Sequence, residues 1–211
     1  MLHSPIETLI LSPDFAYLRP WFYQNPYALR CELGQGDNAK TYMHNAYRRA
    51  KEIFAILFPS GQPDAVIFDQ YVYETPIREP YAHKERAFFN RMTARRHVIV
   101  PNLRTYEDED IASGDAVRGE EKTYSRNRVV SYRDGEVLSV NRLIRRCIWE
   151  QQRTPVGFVS FDNDCILSIY DDRGCDVVFA THEKLREFYP LLNPYFLKYD
   201  AEKMKRRYEG K

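Results

Sequence analysis

The sequence predicts an α+β fold, and three patterns support that prediction. Between residues 43 and 58, apolar side chains recur at steps of three and four residues, which is the spacing of an amphipathic helix. Elsewhere, short apolar runs bounded by glycine, proline or aspartate are typical of strands. The composition, 44% hydrophobic and 29% charged in 211 residues, is that of a folded chain rather than of a disordered one.

The N-terminal half is predicted to form a β-α-β unit over residues 27–73. Its elements are a strand over 27–33, the amphipathic helix, and a buried strand over 64–73. Pro59 ends the helix, because proline removes a backbone donor and clashes with the preceding turn. Residues 12–26 contain three prolines and many aromatic side chains, so we expect an extended lead-in there.

The middle of the chain, residues 74–122, is predicted to be a variable and partly mobile insertion. Within it, residues 83–96 have the pattern of a basic amphipathic helix, and 97–100 that of a short strand. Residues 105–122 are mostly polar and acidic, which is typical of a loop or a partly disordered segment. The insertion does not have the character of a domain boundary. We therefore expect residues 1–211 to form a single α+β domain.

The C-terminal half is predicted to contain a strand, a helix, a three-stranded antiparallel meander and a helical tail. The first strand lies near residue 130, and an Asp-Gly turn separates it from a helix over 139–152. Two short apolar segments and a third after an Asp-Asp-Arg-Gly turn predict the meander. The tail begins at residue 181. The three strands are expected at 156–161, 165–170 and 175–180.

The net charge of the chain and the shortness of its apolar runs argue against nucleic acid and membranes as partners. The 31 basic and 30 acidic residues nearly cancel, so no overall field draws the chain to nucleic acid or to an anionic membrane. A basic cluster in residues 78–104 is followed at once by the acidic residues 105–122, which can neutralise it. No apolar run approaches the roughly 18 residues of a membrane span, and the first residues lack a basic start. We expect a cytoplasmic protein with no nucleic-acid or membrane partner.

The motifs of metal sites, cofactor sites and common catalytic sites do not occur in the sequence. No two histidines have the i, i+4 spacing of a helical zinc site, and there is no phosphate-binding glycine loop or nucleophile elbow. The four cysteines form no Cys-x-x-Cys pair, so we expect them to be reduced, unligated and buried. No metal, cofactor or catalytic residue is assigned. The cysteines are Cys31, Cys147, Cys165 and Cys175.

One short segment, residues 170–174, has the signature of a functional hairpin. A type I turn followed by a left-handed glycine accounts for Gly174 as a structural residue, and Asp171 can bind the amides of the turn. The turn does not require Asp172 or Arg173, because many residue pairs would serve there. We therefore predict that Tyr170, Asp171, Asp172 and Arg173 form a binding site for a charged partner. A purely structural turn is the alternative.

The same segment also resembles a known family. Residues 168–177, which include Tyr-Asp-Asp-Arg-Gly, are similar to the hallmark of the bacterial domain-of-unknown-function 3885 family. The resemblance extends over most of residues 22–208. It implies a bacterial cytoplasmic protein, with members encoded near polymorphic toxins and with no established activity to transfer. The other residues that carry the resemblance are Asn25-Pro26-Tyr27, Leu29-Arg30-Cys31-Glu32-Leu33-Gly34, the helix from Tyr42 to Phe58, Leu185-Arg186, and Tyr189, Tyr195, Tyr199 and Asp200.

Two functions from different classes follow from these observations. The leading one is a non-enzymatic protein-interaction module, an immunity protein that binds and neutralises a toxin. The alternative is a metal-dependent enzyme acting on a phosphate-containing substrate. In the enzyme, Asp171 and Asp172 would hold Mg²⁺ and Arg173 would contact phosphate, with Asp162 or Asp164 as a third acid. A housekeeping scaffold is a third reading. The missing catalytic motifs, the 16 tyrosines and the charged hairpin favour the interaction module.

Overall fold

The computed structural model describes residues 4–13, 15, 21–73, 82–106, 124–149 and 156–210. The strands in these ranges are β1 (Ala28–Glu32), β2 (Ala65–Tyr73), β3 (His97–Tyr106), β4 (Tyr124–Tyr132), β5 (Val156–Ser160), β6 (Cys165–Ile169) and β7 (Gly174–Phe179). The helices are α1 (Pro5–Leu11), α2 (Trp21–Gln24), α3 (Ala39–Leu57), α4 (Ala82–Thr93), α5 (Val140–Trp149), α6 (His182–Leu192) and α7 (Ala201–Glu209). Short 3-10 helices at Asn193–Tyr195 and Lys198–Asp200 separate α6 from α7.

All seven strands belong to one sheet with the order β1-β7-β6-β5-β2-β4-β3. Every neighbouring pair is antiparallel. As a result, β1 and β2 run in the same direction, and α3 connects them, which confirms the predicted N-terminal β-α-β unit. The two strands are not neighbours, because the predicted meander of β5, β6 and β7 lies between them. One sheet therefore combines strands from both halves of the chain in an α+β fold.

Aromatic side chains join the sheet to a layer of helices on one of its faces. Phe54 of α3 packs edge-to-face on Phe158 of β5, with ring centroids 5.3 Å apart. Phe179 of β7 stacks on Phe188 of α6 at 5.5 Å. These contacts bury apolar area from both layers, which is the main favourable contribution to folding. The α4 helix packs on the same face through Phe88, which lies 5.4 Å from Phe68 of β2.

The opposite face of the sheet is covered by the N-terminal segment. Arg128 of β4 is buried, and its guanidinium donates to the carbonyl oxygens of Ile10 at 2.7 Å, Ser12 at 2.9 Å and Phe15 at 3.0 Å. The first two carbonyls lie at the end of α1 and just beyond it, where helical partners are missing. One buried cation therefore fixes this segment on the sheet.

The expectation of an extended lead-in over residues 12–26 is wrong in part, because α2 lies within it. Trp21 and Phe22 of α2 are buried against the sheet, and that burial favours a short helix over an extended chain. The preceding helix α1 begins at Pro5 and is capped by Ser4, whose side chain accepts a hydrogen bond from the amide of Glu7 at 3.2 Å. Residues 14 and 16–20 lie outside the described residues.

The single domain over 1–211 and the variable insertion over 74–122 stay predictions. Of the insertion, residues 82–106 form α4 and β3, near the places where a helix and a strand were expected. Residues 74–81 and 107–122 lie outside the described residues, and the predicted mobility of that acidic stretch is therefore untested. The helix predicted over 139–152 is α5, which is described up to Trp149.

Candidate functional site

The connection between β6 and β7 is a tight turn held by the side chain of Asp171. One carboxylate oxygen, Oδ1, accepts a hydrogen bond from the backbone N–H of Arg173 at 2.8 Å, as expected for an aspartate in a turn. The other, Oδ2, accepts from the guanidinium of Arg173 through Nε at 2.8 Å and Nη2 at 2.5 Å. The Arg173 side chain is nevertheless 76% exposed. The guanidinium is therefore oriented by Asp171 but remains open to a partner.

The expected left-handed conformation of Gly174 is wrong. Gly174 is the first residue of β7, opposite Glu32 of β1, and it is not among the residues with positive φ. A Cβ at this position would lie 2.2 Å from the hydroxyl oxygen of Tyr170 and 2.8 Å from the carbonyl oxygen of Cys31. Glycine is therefore required because the Tyr170 ring and the β1 backbone approach closely, and not because of a strained turn.

Tyr170 lies across this glycine, at the point where the turn meets the sheet. Burial raises the pKa of its hydroxyl well above the usual value, and the negative charge of Asp176 adds to that shift. The guanidinium carbon of Arg30 lies 5.8 Å from the centre of the ring. The hydroxyl is thus neutral at physiological pH and available as a hydrogen-bonding group.

A polar row crosses the sheet directly below the turn. Arg30 of β1 lies opposite Asp176 of β7, Asp176 opposite Ser168 of β6, and Ser168 opposite Gly157 of β5. The four residues therefore share one face of the sheet, because neighbouring partners in a sheet point to the same side. Ile67 and Trp21 fill the space left by Gly157, since a Cβ there would lie 2.5 Å from Cγ2 of Ile67 and 3.1 Å from the Trp21 ring.

Arg30 and Asp176 form a buried, two-pronged ion pair within that row. The distances are 2.9 Å from Nε to Oδ1 and 3.3 Å from Nη2 to Oδ2, and the amide of Phe22 donates to Oδ2 at 3.1 Å. Burial raises the pKa of Asp176, and the hydrogen bonds from Arg30 and Phe22 oppose that shift. The remaining arm of Arg30, Nη1, lies 3.6 Å from Asp200.

A pocket of about 540 Å³ opens between the turn and the polar row. It unites three of the four predicted binding residues with four that sequence reasoning missed. Asp172 is not part of the lining; with Asp171 it contributes negative charge near the Tyr42 hydroxyl, whose pKa is raised by burial first and by those charges second. The lining residues are Trp21, Arg30, Ser168, Tyr170, Asp171, Arg173 and Asp176.

The metal arrangement considered for an enzyme does not form. Asp162 and Asp164 lie in the turn before β6, whereas Asp171 and Asp172 follow its other end. Five strand residues span about 17 Å, so these acids cannot meet on one ion. Asp164 instead accepts a hydrogen bond from the amide of Ile6 at 3.2 Å. In the described ranges, no three His, Cys, Asp or Glu side chains are placed to hold a metal.

The four cysteines are free and buried, as predicted. Cys165 and Cys175 are not opposed to each other, because Cys165 pairs with Phe179 and Cys175 with Ile169 across the meander. On its other side, Cys175 lies directly opposite Cys31 of β1, a neighbour that the local sequence does not reveal. Burial raises the pKa of the Cys175 thiol, and the neighbouring Cys31 adds to the shift.

These features define an α+β protein with a charged pocket at the turn of a β-hairpin. The chain belongs to the family described as Domain of unknown function (DUF3885), whose model matches residues 10–200. No curated protein and no solved structure matches the chain. None of the helices among the described residues has the length and apolar character required to cross a membrane.

Proposed function

We propose that this protein is a non-enzymatic interaction module that binds a protein partner at the hairpin turn. The observation that carries the proposal is the exposure of the Arg173 guanidinium beside a charged pocket. The fold uses the backbone of Arg173, whose carbonyl accepts a hydrogen bond from the amide of Leu33 at 2.9 Å. Its side chain is oriented by Asp171 and has no other hydrogen-bond or ion-pair contact within the described residues.

The charge of this surface is mixed and favours a partner that carries both signs. The hydrogen bond between Leu33 and Arg173 places the turn beside Glu32, so that the exposed guanidinium of Arg173 lies close to the acids Glu32, Asp171 and Asp172. Complementary charge speeds association and selects the correct partner. Asp171 already uses both carboxylate oxygens within the turn, so an acidic group of the partner is expected to meet the guanidinium of Arg173, and a basic group to meet Glu32 or Asp172.

An exposed tyrosine beyond Arg30 extends the same surface. Tyr199 is 86% exposed and directly precedes Asp200, whose carboxylate lies 3.6 Å from Arg30. Among surface residues, tyrosine is one of the types enriched at the positions that dominate binding energy. Tyr199 is therefore expected to pack on the partner while the hairpin supplies the polar contacts.

The proposed partner is a toxin encoded beside this protein, which the chain would neutralise in the cytoplasm as an immunity protein. The proposal is supported by the toxin-gene neighbourhood that the family resemblance implies, together with a binding surface built from charged and tyrosine side chains. Neutralisation needs only that the toxin be bound and masked, and thus requires no catalytic residue in this chain.

The test is co-expression of the adjacent toxin-like gene with this chain or its variants, with calorimetry of the purified pair. Arg173→Ala, Asp172→Ala and Tyr199→Ala are each expected to weaken binding by about fivefold or more, which corresponds to about 1 kcal/mol. Arg145→Ala and Asp162→Ala are matched controls, because both residues are exposed and remote from the turn.

If the host survives the toxin equally well without this chain, the immunity role is wrong. If neutralisation persists undiminished in all three surface variants, the hairpin is not the binding site.

A further inference from the structure

A groove of about 490 Å³ lies between α4 and α5, apart from the hairpin pocket. Its floor is apolar and comes from both helices and the segment before α5. The floor residues are Phe88 and Met92 of α4, Leu143 of α5, and Leu138. At the mouth, the side chain of Val137 is 81% exposed, an unusual position for a valine that contacts only solvent.

Arginines line both walls of the groove. Arg91 lies in the last turn of α4 and Arg95 follows just after that helix ends, whereas Arg142 and Arg146 are one helical turn apart on α5. Two of them already have structural roles: Arg95 pairs with Glu136 at 2.5 Å, and Arg146 lies 4.0 Å above the ring of Phe88. Arg91 and Arg142 are exposed, and neither has an ion-pair partner within the described part of the chain.

We propose that this groove binds an acidic amphipathic helix of a partner protein. An apolar stripe of such a helix would cover the floor and Val137, as in other helix-in-groove complexes. Carboxylates on both sides of the stripe would meet Arg91 on one wall and Arg142 on the other. Guanidinium groups bind carboxylates with two parallel hydrogen bonds, which adds geometric specificity to the charge.

The groove is independent of the proposed hairpin interaction. The turn at residues 170–174 follows the end of β6, whereas residues 137–139 of the groove follow the end of β4. Because β4 and β6 run in opposite directions, the C-terminal ends of these two strands lie at opposite ends of the sheet, measured along the strand direction. The charges of the two surfaces also differ, since the hairpin pocket combines acidic residues with arginines, whereas the groove is lined by arginines without an acid.

The test is fluorescence anisotropy with a labelled 16-residue helical peptide. The peptide carries leucines along one face and glutamates on both flanks of that face. Binding to the full chain is expected, and the variant Arg91→Glu with Arg142→Glu should weaken it at least tenfold. Arg145→Glu, an exposed arginine on α5 outside the groove, is the matched control and should change binding little.

A charge exchange makes the test specific. The same peptide with lysine in place of each glutamate should fail to bind the unmodified chain and should bind the doubly reversed variant. Replacing the leucines with alanine should abolish binding, because the floor then has no apolar partner.

Three results would overturn the proposal. They are no binding of the glutamate peptide, an equal loss in Arg145→Glu, and equally tight binding of a single-stranded oligonucleotide or of the leucine-free peptide. Circular dichroism of each variant confirms that the helices remain folded.

Discussion

The guanidinium of Arg30 and the carboxylate of Asp176 face each other across neighbouring strands, 2.9 Å apart and with only 8% and 1% of each residue exposed. The pair forms the floor of the pocket beside the hairpin turn, and the Asp176 carboxylate also accepts a hydrogen bond from the amide of Phe22. Strand pairing, an N-terminal helix and the candidate site therefore depend on one buried interaction.

Removing one member of this pair should destabilise the protein strongly. Arg30→Ala leaves the Asp176 carboxylate buried without its cation, and a loss of about 3 kcal/mol or more is expected in urea unfolding. The double change Arg30→Met with Asp176→Leu should cost less than the single one, because the Asp176 carboxylate is removed together with its cation and only Asp200, 3.6 Å from Arg30, loses a neighbouring charge. Arg48→Ala is the surface control: its pair with Glu52 is exposed, and its loss should cost less than about 0.5 kcal/mol. Equal costs at the two sites would contradict this account.

Gly174→Ala should destabilise through a steric clash. The new Cβ would meet the Tyr170 hydroxyl and the Cys31 carbonyl, so a loss of about 1–3 kcal/mol is expected. In a Tyr170→Ala background the same change should cost less, which a double-mutant cycle measures. Gly135→Ala serves as a contrast, because Gly135 has φ +82° and open space around it. Its cost of about 1 kcal/mol should be the same with or without the Tyr170 ring. A Gly174 cost that is independent of residue 170 would refute the steric explanation.

Residues of the turn should differ in their effects on stability. Asp171→Ala removes the hydrogen bond to the Arg173 amide, and a loss of about 1 kcal/mol is expected. Arg173→Ala removes only an exposed pair, so its effect should stay within about 0.5 kcal/mol, and the same holds for Asp172→Ala. Thermal melts of the three variants compare them directly. If the melting temperature of Arg173→Ala lies far below those of the other two variants, the guanidinium stabilises the fold and does not serve to bind a partner.

All four thiols should react only after unfolding. Burial raises the pKa values of Cys165 and Cys175, so the reactive thiolate is scarce at neutral pH and reagent access is blocked. We expect slow labelling of the native protein by a disulfide reagent and four thiols per chain in denaturant. Fewer than four, or stoichiometric zinc in the purified protein, would show that a cysteine is oxidised or ligated.

Tyr132 should ionise late in an alkaline titration. Burial, followed by its hydrogen bond with Glu7, raises the pKa of Tyr132 to about 12, against an ordinary value of 10.0. A raised pKa in the folded state stabilises the protein below pH 10, and that contribution is lost as the pH rises from about 10 to 12. Tyr132→Phe should therefore lower the tyrosinate absorbance that develops near pH 12 by the share of one tyrosine and leave the signal near pH 10 intact. Loss of the earlier signal would mean that the hydroxyl is open to water.

Patterns in the local sequence predicted the helices and strands whose formation depends mainly on neighbouring residues. The helix α3 follows from apolar spacing, and the capping of its first turn by Asn38 is visible as a hydrogen bond to the Thr41 amide at 2.9 Å. The meander follows from alternating apolar runs and turns. The helix α1 also had a local signal, a serine followed by proline and, at the third position, glutamate, which is typical of a helix start.

The remaining features depend on contacts between distant parts of the chain. The insertion of β5, β6 and β7 between β1 and β2 has no local signature. Likewise, the partner of Arg30 lies 146 positions away, so the turn residues Tyr170, Asp171 and Arg173 were predicted without the pocket below them. A charged residue in the middle of each of two mostly apolar strands, Arg30 and Asp176, was the available sign that the two are paired.

The place of β1 in the sheet has a consequence for synthesis on the ribosome. Its sheet partner is β7, and the isolated bridge between Cys31 and Phe196 covers its other side. About 140 further residues must therefore be translated before β1 acquires a neighbour, which at ordinary rates of translation takes on the order of ten seconds. During that interval the apolar strand and the face of α3 are open to water, and the nascent chain is at its most vulnerable to aggregation and to capture by chaperones.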